Sequence, residues 1–394
     1  MIDIPGRPAP PSAVSAAHAS TGAADDPYRV MVVDDSAVIR GLLTRALEGD
    51  PELRVVSSVG DGQMAVNALR RASVDVIVLD IEMPVMDGLT AIPKLLEVDP
   101  NVKIIMASTL TLRGAEVSMK ALQLGAADYI PKPTSTREIS GADLFRQELK
   151  QKVKVLAQAA RRGSTRRRPA PEQRERAPMP PLLVPRRVPA TVTLRPMPVG
   201  VHPDIVAIGS STGGPQALFE VLSHLKGGLT QPILITQHMP ATFTTILAEH
   251  ITRQCGIPCA EAKEGDPLQG GRIYLAPGDF HMVLAQRGTG TVLSVNKEPP
   301  ENFCRPAVDP MMRSIVKIFG RRVLAVILTG MGHDGMRGCQ DVAAAGGLVL
   351  AQDEPTSVVW GMPGAVANAG ICNAVLPLKE IGPAIRKLAM RTAA

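Results

Sequence analysis

The 394-residue sequence has no apolar run near the roughly 20 residues that a membrane-spanning helix needs, so no membrane insertion is expected. Its opening, MIDIPGRPAPPSAVSAAHAS, lacks a basic start followed by an apolar stretch. No signal peptide is therefore expected, and the cytoplasm is the expected location. Cysteine is sparse. Cys255, Cys259, Cys304, Cys339 and Cys372 all fall in the second half, odd in number and without zinc-ligand spacing. They read as buried free thiols. Also missing are the phosphate-loop patterns G-x-x-x-x-G-K-[ST] and G-x-G-x-x-G, a short solenoid repeat and helix-turn-helix patterning.

What is there is an ordinary globular balance, 45% apolar and 20% charged residues, in a length suited to two or three domains. The net charge of +6 is unevenly placed. Between Lys150 and Pro203, three Lys and ten Arg stand against two Glu, so this segment carries +11 and the remainder is acidic. The basicity thus belongs to one Pro- and Arg-rich segment and not to a folded groove, and no nucleic-acid partner is expected.

Residues 1–27, rich in Ala, Pro and Ser, read as a disordered tail. Over 28–148 the apolar runs RVMVV, LRVVSSV, VDVIVLD, KIIMAS and ADYIP alternate with helical stretches. This five-fold β-α alternation is the signature of a doubly wound parallel sheet. Residues 149–203 read as a long linker, because prolines and like charges oppose regular structure. From 204 to 394, DIVAIG, PILITQH, RIYLAP, RRVLAVILTG and GLVLAQD again alternate with helical segments. The expected fold class is α/β: two doubly wound parallel-sheet domains joined by a disordered linker.

In the first domain, Asp34 and Asp35 end strand one, Asp80 ends strand three, Ser108 ends strand four and Lys132 ends strand five. In open parallel sheets ligands bind outside the carboxyl ends of the strands. One Asp in such a place is ordinarily a helix cap or a loop residue. Three carboxylates at one rim repel unless a lysine or a hard cation neutralises them, and oxygen ligands of this kind suit Mg²⁺. A carboxylate beside Mg²⁺ is a candidate nucleophile for phosphoryl transfer, with Ser108 placed to hydrogen-bond the new group. VVDDS, VIVLDIEMPVMDG, IIMAST and DYIPKP resemble the motifs of the response-regulator receiver family, over essentially all of 28–148. That resemblance implies a flavodoxin-like fold, with Asp80 as phosphoacceptor. It implies that Asp34, Asp35, Asp80 and the backbone carbonyl of Glu82 hold Mg²⁺. It further implies that Ser108 and Lys132 bind the phosphoryl group, that Tyr129 changes rotamer on switching, and that a histidine kinase is the donor.

In the second domain, IGSSTGGPQ follows the apolar run DIVAI and reads as strand, tight glycine turn and helix. Gly209, Ser211 and Gly213 match the G-x-S-x-G nucleophile turn, a weak signal alone. A nucleophilic serine needs a base and an orienting acid. His238 ends the next strand and Asp334 lies in the glycine-rich turn after a later one, so all three belong to one rim. A lone histidine is more often structural. His333 is a rival base, but adjacent side chains diverge; His281 is weaker, and His202, His224 and His250 look structural or exposed.

IGSSTGGPQAL, ITQHMP, IYLAPGDFHM, RPAVDPMMRS, VILTGMGHDG and WGMPGAV resemble the catalytic domain of the chemotaxis protein-glutamate methylesterases, over roughly 204–390. The resemblance implies a Rossmann-like α/β domain with Ser211 as nucleophile, His238 as base and Asp334 as orienting acid. It implies an oxyanion hole made by the backbone N–H groups of Thr212 and Met331. Many relatives carry Ala at Ser210 and Asn at His333, and neither departure removes a catalytic group. The implied activity is phosphorylation-activated demethylation of glutamyl methyl esters on chemoreceptors and deamidation of receptor glutamines, with no cofactor for the ester chemistry. The rival expectations are a receiver-controlled binding module and a serine esterase for a small-molecule ester.

Overall fold

The computed structural model describes residues 26–108, 111–132, 139–165, 192–198, 200–227 and 229–389. The expected tail lies almost wholly outside them, as does the stretch 166–191 of the expected linker. The first half runs β1 (Tyr28–Val33), α1 (Ala37–Glu48), β2 (Leu53–Val59), α2 (Gly62–Leu69), β3 (Val76–Asp80) and α3 (Gly88–Val98). It continues through β4 (Lys103–Ser108), α4 (Leu112–Gln123), β5 (Asp128–Pro131) and α5 (Ile139–Thr165). The strands pair in parallel in the order β2-β1-β3-β4-β5. Val, Ile and Leu fill β3, and Ile and Met fill β4, because helices cover both faces, and each fully buried side chain of this size contributes about 1.5–3 kcal/mol.

The second half runs β6 (Ile205–Ser210), α6 (Gly214–Ser223), β7 (Ile233–Gln237), α7 (Ala241–Cys255), β8 (Cys259–Glu261) and β9 (Ile273–Leu275). A hairpin follows, β10 (His281–Arg287) and β11 (Gly290–Asn296). Then come α8 (Val308–Phe319), β12 (Val323–Ile327), α9 (Met336–Ala344), β13 (Leu348–Gln352), α10 (Met362–Asn368), β14 (Ala374–Leu376) and α11 (Leu378–Ala389). Seven strands form a parallel sheet in the order β14-β13-β12-β6-β7-β9-β8. The chain winds one way from β6 and the other way from β12, so the crevice between these neighbours is the switch point where such sheets bind ligands.

The expected linker boundaries need correction at both ends. Helix α5 continues past Glu148 to Thr165, because Leu149, Val153, Leu156, Ala157 and Ala160 recur at helical spacing and bury against the first sheet. Its basic residues are engaged on the folded surface: Lys152 with Asp128, Lys154 with Asp50 and Glu52, Arg161 with Asp75. Part of the segment's positive charge therefore sits on a structured helix, contrary to the expectation of an unstructured basic stretch. At the other end, the Arg195 N–H donates to Cys372 O and Asn373 Nδ2 donates to Pro196 O, tying 192–198 to the second sheet.

The two halves pack together. Tyr129 stacks on Phe243 with ring centroids 4.2 Å apart. Gln216 Nε2 donates to the carbonyls of Leu122 and Ala126, and Gln123 meets His250 at 3.2 Å. Arg162 pairs with Glu354, while Val358, Val359 and Met331 pack into the apolar layer beneath α5.

Candidate active site

The helix starts differ between the two rims. Helices α1 to α4 begin on side-chain caps, from Ser36, Asp61, Asp87 and Thr111. Helices α6 and α9 have no side-chain cap and begin on the left-handed glycines Gly213 and Gly335. Their first N–H groups, of Gly214 and Met336, turn back onto the carbonyls of Ser211 and His333, and Asp309 Oδ1 accepts from Gly338 N, so loop backbone and a neighbouring helix take the place of the cap. Gly213, at φ 76, lets the chain reverse immediately after Ser211. Gly330 supports the turn from behind: a Cβ there would fall 2.9 Å from the Ser211 Cβ.

Backbone bonds continue the sheet beyond its strands and lock three loops together. Ser211 N donates to Thr329 O at 3.0 Å, and His238 N donates to Ser210 O at 3.1 Å. Ser210 is fully buried, its hydroxyl donating to Gln237 Oε1 at 2.6 Å, and Gln237 Nε2 donates to Ser211 O. The two serines of IGSSTGGPQ thus part company: Ser210 is spent on the inner hydrogen bond, while Ser211 is only half-buried.

His238 Nε2 lies 2.8 Å from Asp334 Oδ2. Asp334 is almost fully buried and accepts from Val308 N, Asp309 N, Gly335 N and Asn302 Nδ2 as well. Burial alone would raise its pKa; His238 and the backbone donors outweigh burial and hold it below the ordinary carboxylate value. Burial likewise disfavours the imidazolium, but Cys304 and Asp334 overcome it and push His238 up to about 10. The other ring nitrogen, Nδ1, sits 3.4 Å from Cys304 Sγ. Among the described residues no hydrogen bond joins Ser211 Oγ to His238.

Thr212 and Met331 flank this site, and each also touches the first domain. The Thr212 hydroxyl donates to Asp128 Oδ2 at 2.7 Å, and Met331 packs under α5. His333 is exposed, opposite to its buried neighbour Asp334, and His281 is spent on Pro299 O and Ala307 N.

At the first rim, Asp34, Asp35 and Asp80 bring one carboxylate oxygen each within 4.8 Å of one another. Lys132 Nζ lies 2.7 Å from both Asp34 and Asp80. Burial raises the Asp80 pKa beyond what Lys132 can offset, and Asp34 adds to the rise. Burial works against Lys132, yet the two aspartates keep its pKa above the ordinary lysine value. Oxygen donors bearing more negative charge than one lysine neutralises fit a hard divalent cation. Ser108 is buried at the end of β4, its hydroxyl bonded to Gly114 O. The exposed Glu82 side chain pairs with Arg113, and Tyr129 points inward onto Phe243.

Cys304 and Asn302 had no sequence signal, and Asp309 and Gln237 had none that assigned them a role. They reach the site through side-chain contacts that no spacing encodes. RPAVDPMMRS, which carries Asp309, and ITQHMP, which carries Gln237, marked this neighbourhood.

Comparison with known proteins gives a consistent pattern. The CheB methylesterase family model matches residues 206–385, and the response regulator receiver domain model matches residues 30–142. A protein-glutamate methylesterase/protein-glutamine glutaminase of Azospirillum brasilense is 70% identical over 399 residues, covering all of both chains. One of the group 2 operon of Rhodospirillum centenum is 63% identical over 405 residues, again covering all of both. The crystal structure of the Thermotoga maritima CheB methylesterase catalytic domain is 39% identical, with a TM-score of 0.46, over 48% of this chain and 100% of that one.

Proposed function

This chain belongs to the protein-glutamate methylesterase/protein-glutamine glutaminase family, in the form that carries an amino-terminal response regulator receiver domain, and from that premise we propose how its two rims work together. Residues 26–165 act as the receiver and 192–389 as the esterase. The substrate is a glutamyl γ-methyl ester, or a glutamine, on a chemoreceptor. The single observation that carries the reading is the His238–Asp334 contact of 2.8 Å beside the Ser211 turn at the switch point.

Once His238 has shed the second proton that Cys304 and Asp334 favour in this arrangement, Ser211 Oγ attacks the ester carbonyl while the neutral ring takes its proton. Asp334, already bonded to Nε2, fixes the ring and stabilises the imidazolium, which leaves Nδ1 as the nitrogen for Ser211. The N–H groups of Thr212 and Met331 receive the oxyanion, and losing one such donor costs about 3 kcal/mol in comparable sites. Protonated methoxide leaves as methanol, and water releases the acyl group from Ser211. Deamidation follows the same acyl route with ammonia as the leaving group.

The arrangement described is the resting one. Cys304 occupies Nδ1, and Asp128 of the receiver holds the hydroxyl of Thr212. Asp80 is the phosphoacceptor and a histidine kinase the donor. Asp34, Asp35 and Asp80, with the Glu82 carbonyl, would hold Mg²⁺, which supplies charge neutralisation for phosphoryl transfer when bound. Ser108 and Lys132 then hold the phosphoryl oxygens. Lys132 is drawn from its two carboxylates, β5 adjusts, and the Tyr129–Phe243 stack next to Asp128 loosens, shifting the population toward an open site. Among the described residues no helix is long and apolar enough to cross a membrane. Action in the cytoplasm, where receptor signalling domains and kinase are accessible, fits this reading.

The test is methanol release from methylated receptor by the full chain, with and without a phosphodonor, for the unaltered protein and for Asp80→Asn. Stimulation of the first and not of the second is expected. Stimulation of both would remove Asp80 from the mechanism.

A further inference from the structure

One four-residue turn at the esterase rim has a conformation that its sequence opposes. Glu301 and Cys304 exchange both backbone hydrogen bonds, N–H to carbonyl at 3.1 and 2.8 Å, closing a two-residue turn over Asn302 and Phe303. Both central residues have positive φ, 52° and 64°. Such turns belong to the type that favours Asn-Gly, because the second position disfavours a Cβ. Asn302 suits the first position. Phe303 occupies the place where glycine is best, and its side chain has nothing to offset the strain: its relative exposure is 103%.

The turn is not a loose tip. Arg313 clamps Glu301 with two hydrogen bonds. Asn302 Nδ2 donates to Asp334 Oδ1 at 2.9 Å and to Asp309 Oδ2 at 3.0 Å. Cys304 Sγ meets His238 Nδ1 at 3.4 Å. Phe303 is therefore presented between one residue bonded to the acid and one in contact with the base. Its full exposure holds with the receiver packed on the esterase. Strain kept in an anchored segment beside reacting groups points to use there.

We propose that Phe303 is a docking residue for the polypeptide that brings the ester, inserting against an apolar side chain that flanks the modified glutamate. The proposal rests on the methylesterase reading above. A chain that delivers a glutamyl ester to Ser211 must lie beside His238 and Asp334, and hence beside this ring. Aromatic side chains, Phe among them, are enriched where proteins bind one another. Because the ring is open in the resting arrangement, substrate engages it before the receiver moves.

The experiment measures kcat and KM for methylated receptor and for p-nitrophenyl acetate, using the full chain with a phosphodonor. The variants are Phe303→Gly, Phe303→Asn and Phe303→Trp. The ratio of kcat/KM for receptor over small ester falls about tenfold in the Gly and Asn variants, chiefly through KM, and stays near the starting value in the Trp variant. The Gly variant also melts at a higher temperature, since it relieves the turn while losing the contact. An unaltered ratio in both the Gly and Asn variants overturns the proposal. Failure of the unaltered protein to release methanol from receptor overturns the methylesterase reading instead, and is distinguished because the small-ester rate still reports a working triad.

Discussion

Asp80 and Asp334 are the same residue type at the same kind of place, a rim formed by the carboxyl ends of a parallel sheet, yet their surroundings drive them in opposite directions. Both are buried, and burial is the largest influence on each. Asp334 accepts from three backbone N–H groups, an amide and an imidazole, and ends below its ordinary value. Asp80 has the Ile81 N–H and Lys132, with Asp34 as a like-charged neighbour, and ends above it. A carboxylate saturated with donors is a fixed point for another group. One left short of donors is ready to exchange its charge for a new bond. The proposed roles, positioner and phosphoacceptor, follow that difference.

The largest expected effect comes from spoiling the saturated site. Asp334→Asn keeps the shape but presents an amide to His238, and methanol release from receptor is expected to fall by about 10³- to 10⁴-fold in kcat. Ser211→Ala belongs to the same scale, while Ser210→Ala is expected to stay within about tenfold of the starting rate, since it removes only an inner hydrogen bond. Equal losses at the two serines would mean that the inner bond, and not a nucleophile, is what the turn protects.

At the unsaturated site the expected sign for stability is reversed. Asp80→Asn removes a charge that burial disfavours, so the receiver melts at a higher temperature at neutral pH, although stimulation by phosphodonor disappears. A lower melting temperature would mean that Lys132 already satisfies Asp80, and the contrast with Asp334 would fail.

The esterase rim also meets the receiver through a buried bond, from Thr212 to Asp128 at the start of β5. Asp128→Ala removes the receiver's hold on the residue after Ser211. Unstimulated methanol release is expected to rise about fivefold, the worth of one such hydrogen bond. No rise would assign the resting state to the Tyr129–Phe243 stack and the Gln216 bonds alone.

Much of this was legible in the sequence, for reasons that differ by region. Buried parallel strands such as VIVLD and VLAVI announce themselves as apolar runs, and the residues that end them inherit the rim. Asp34, Asp80 and Lys132 could therefore be assembled from strand ends alone, as could Ser211 and His238. Strands β8, β9 and β14 span three residues each, too short for periodicity to register beyond the one run RIYLAP. The boundary at 148 was misplaced because Lys150, Lys152, Lys154 and Arg161 read as solvated linker charge, whereas they are half-buried beside the apolar stripe of α5. Asn302 and Cys304 were invisible because a turn with two left-handed residues, one of them Phe, runs against the usual turn chemistry.

The smallest expected effect tests the charge state of the base. His238 is raised in the folded state from 6.5 to about 10. A raised group contributes fully below its unfolded value and loses that contribution as pH climbs through the folded one. The window is therefore pH 6.5 to about 10. Asp334, being lowered, contributes above its unfolded value of 3.8 and loses that contribution as pH falls through the folded one. The melting-temperature difference between the unaltered protein and His238→Gln isolates the first contribution from every other titrating group. It is expected to shrink steadily across that window, at about 2–4 °C per kcal/mol for a domain of this size. In a Cys304→Ala background the same decline ends at lower pH, since one of the two groups that favour the imidazolium has gone. A difference that stays flat would mean a neutral His238 in the resting arrangement. Asp334 would then owe its depressed pKa to backbone donors alone, and the distinction between the two aspartates would reduce to a count of N–H groups.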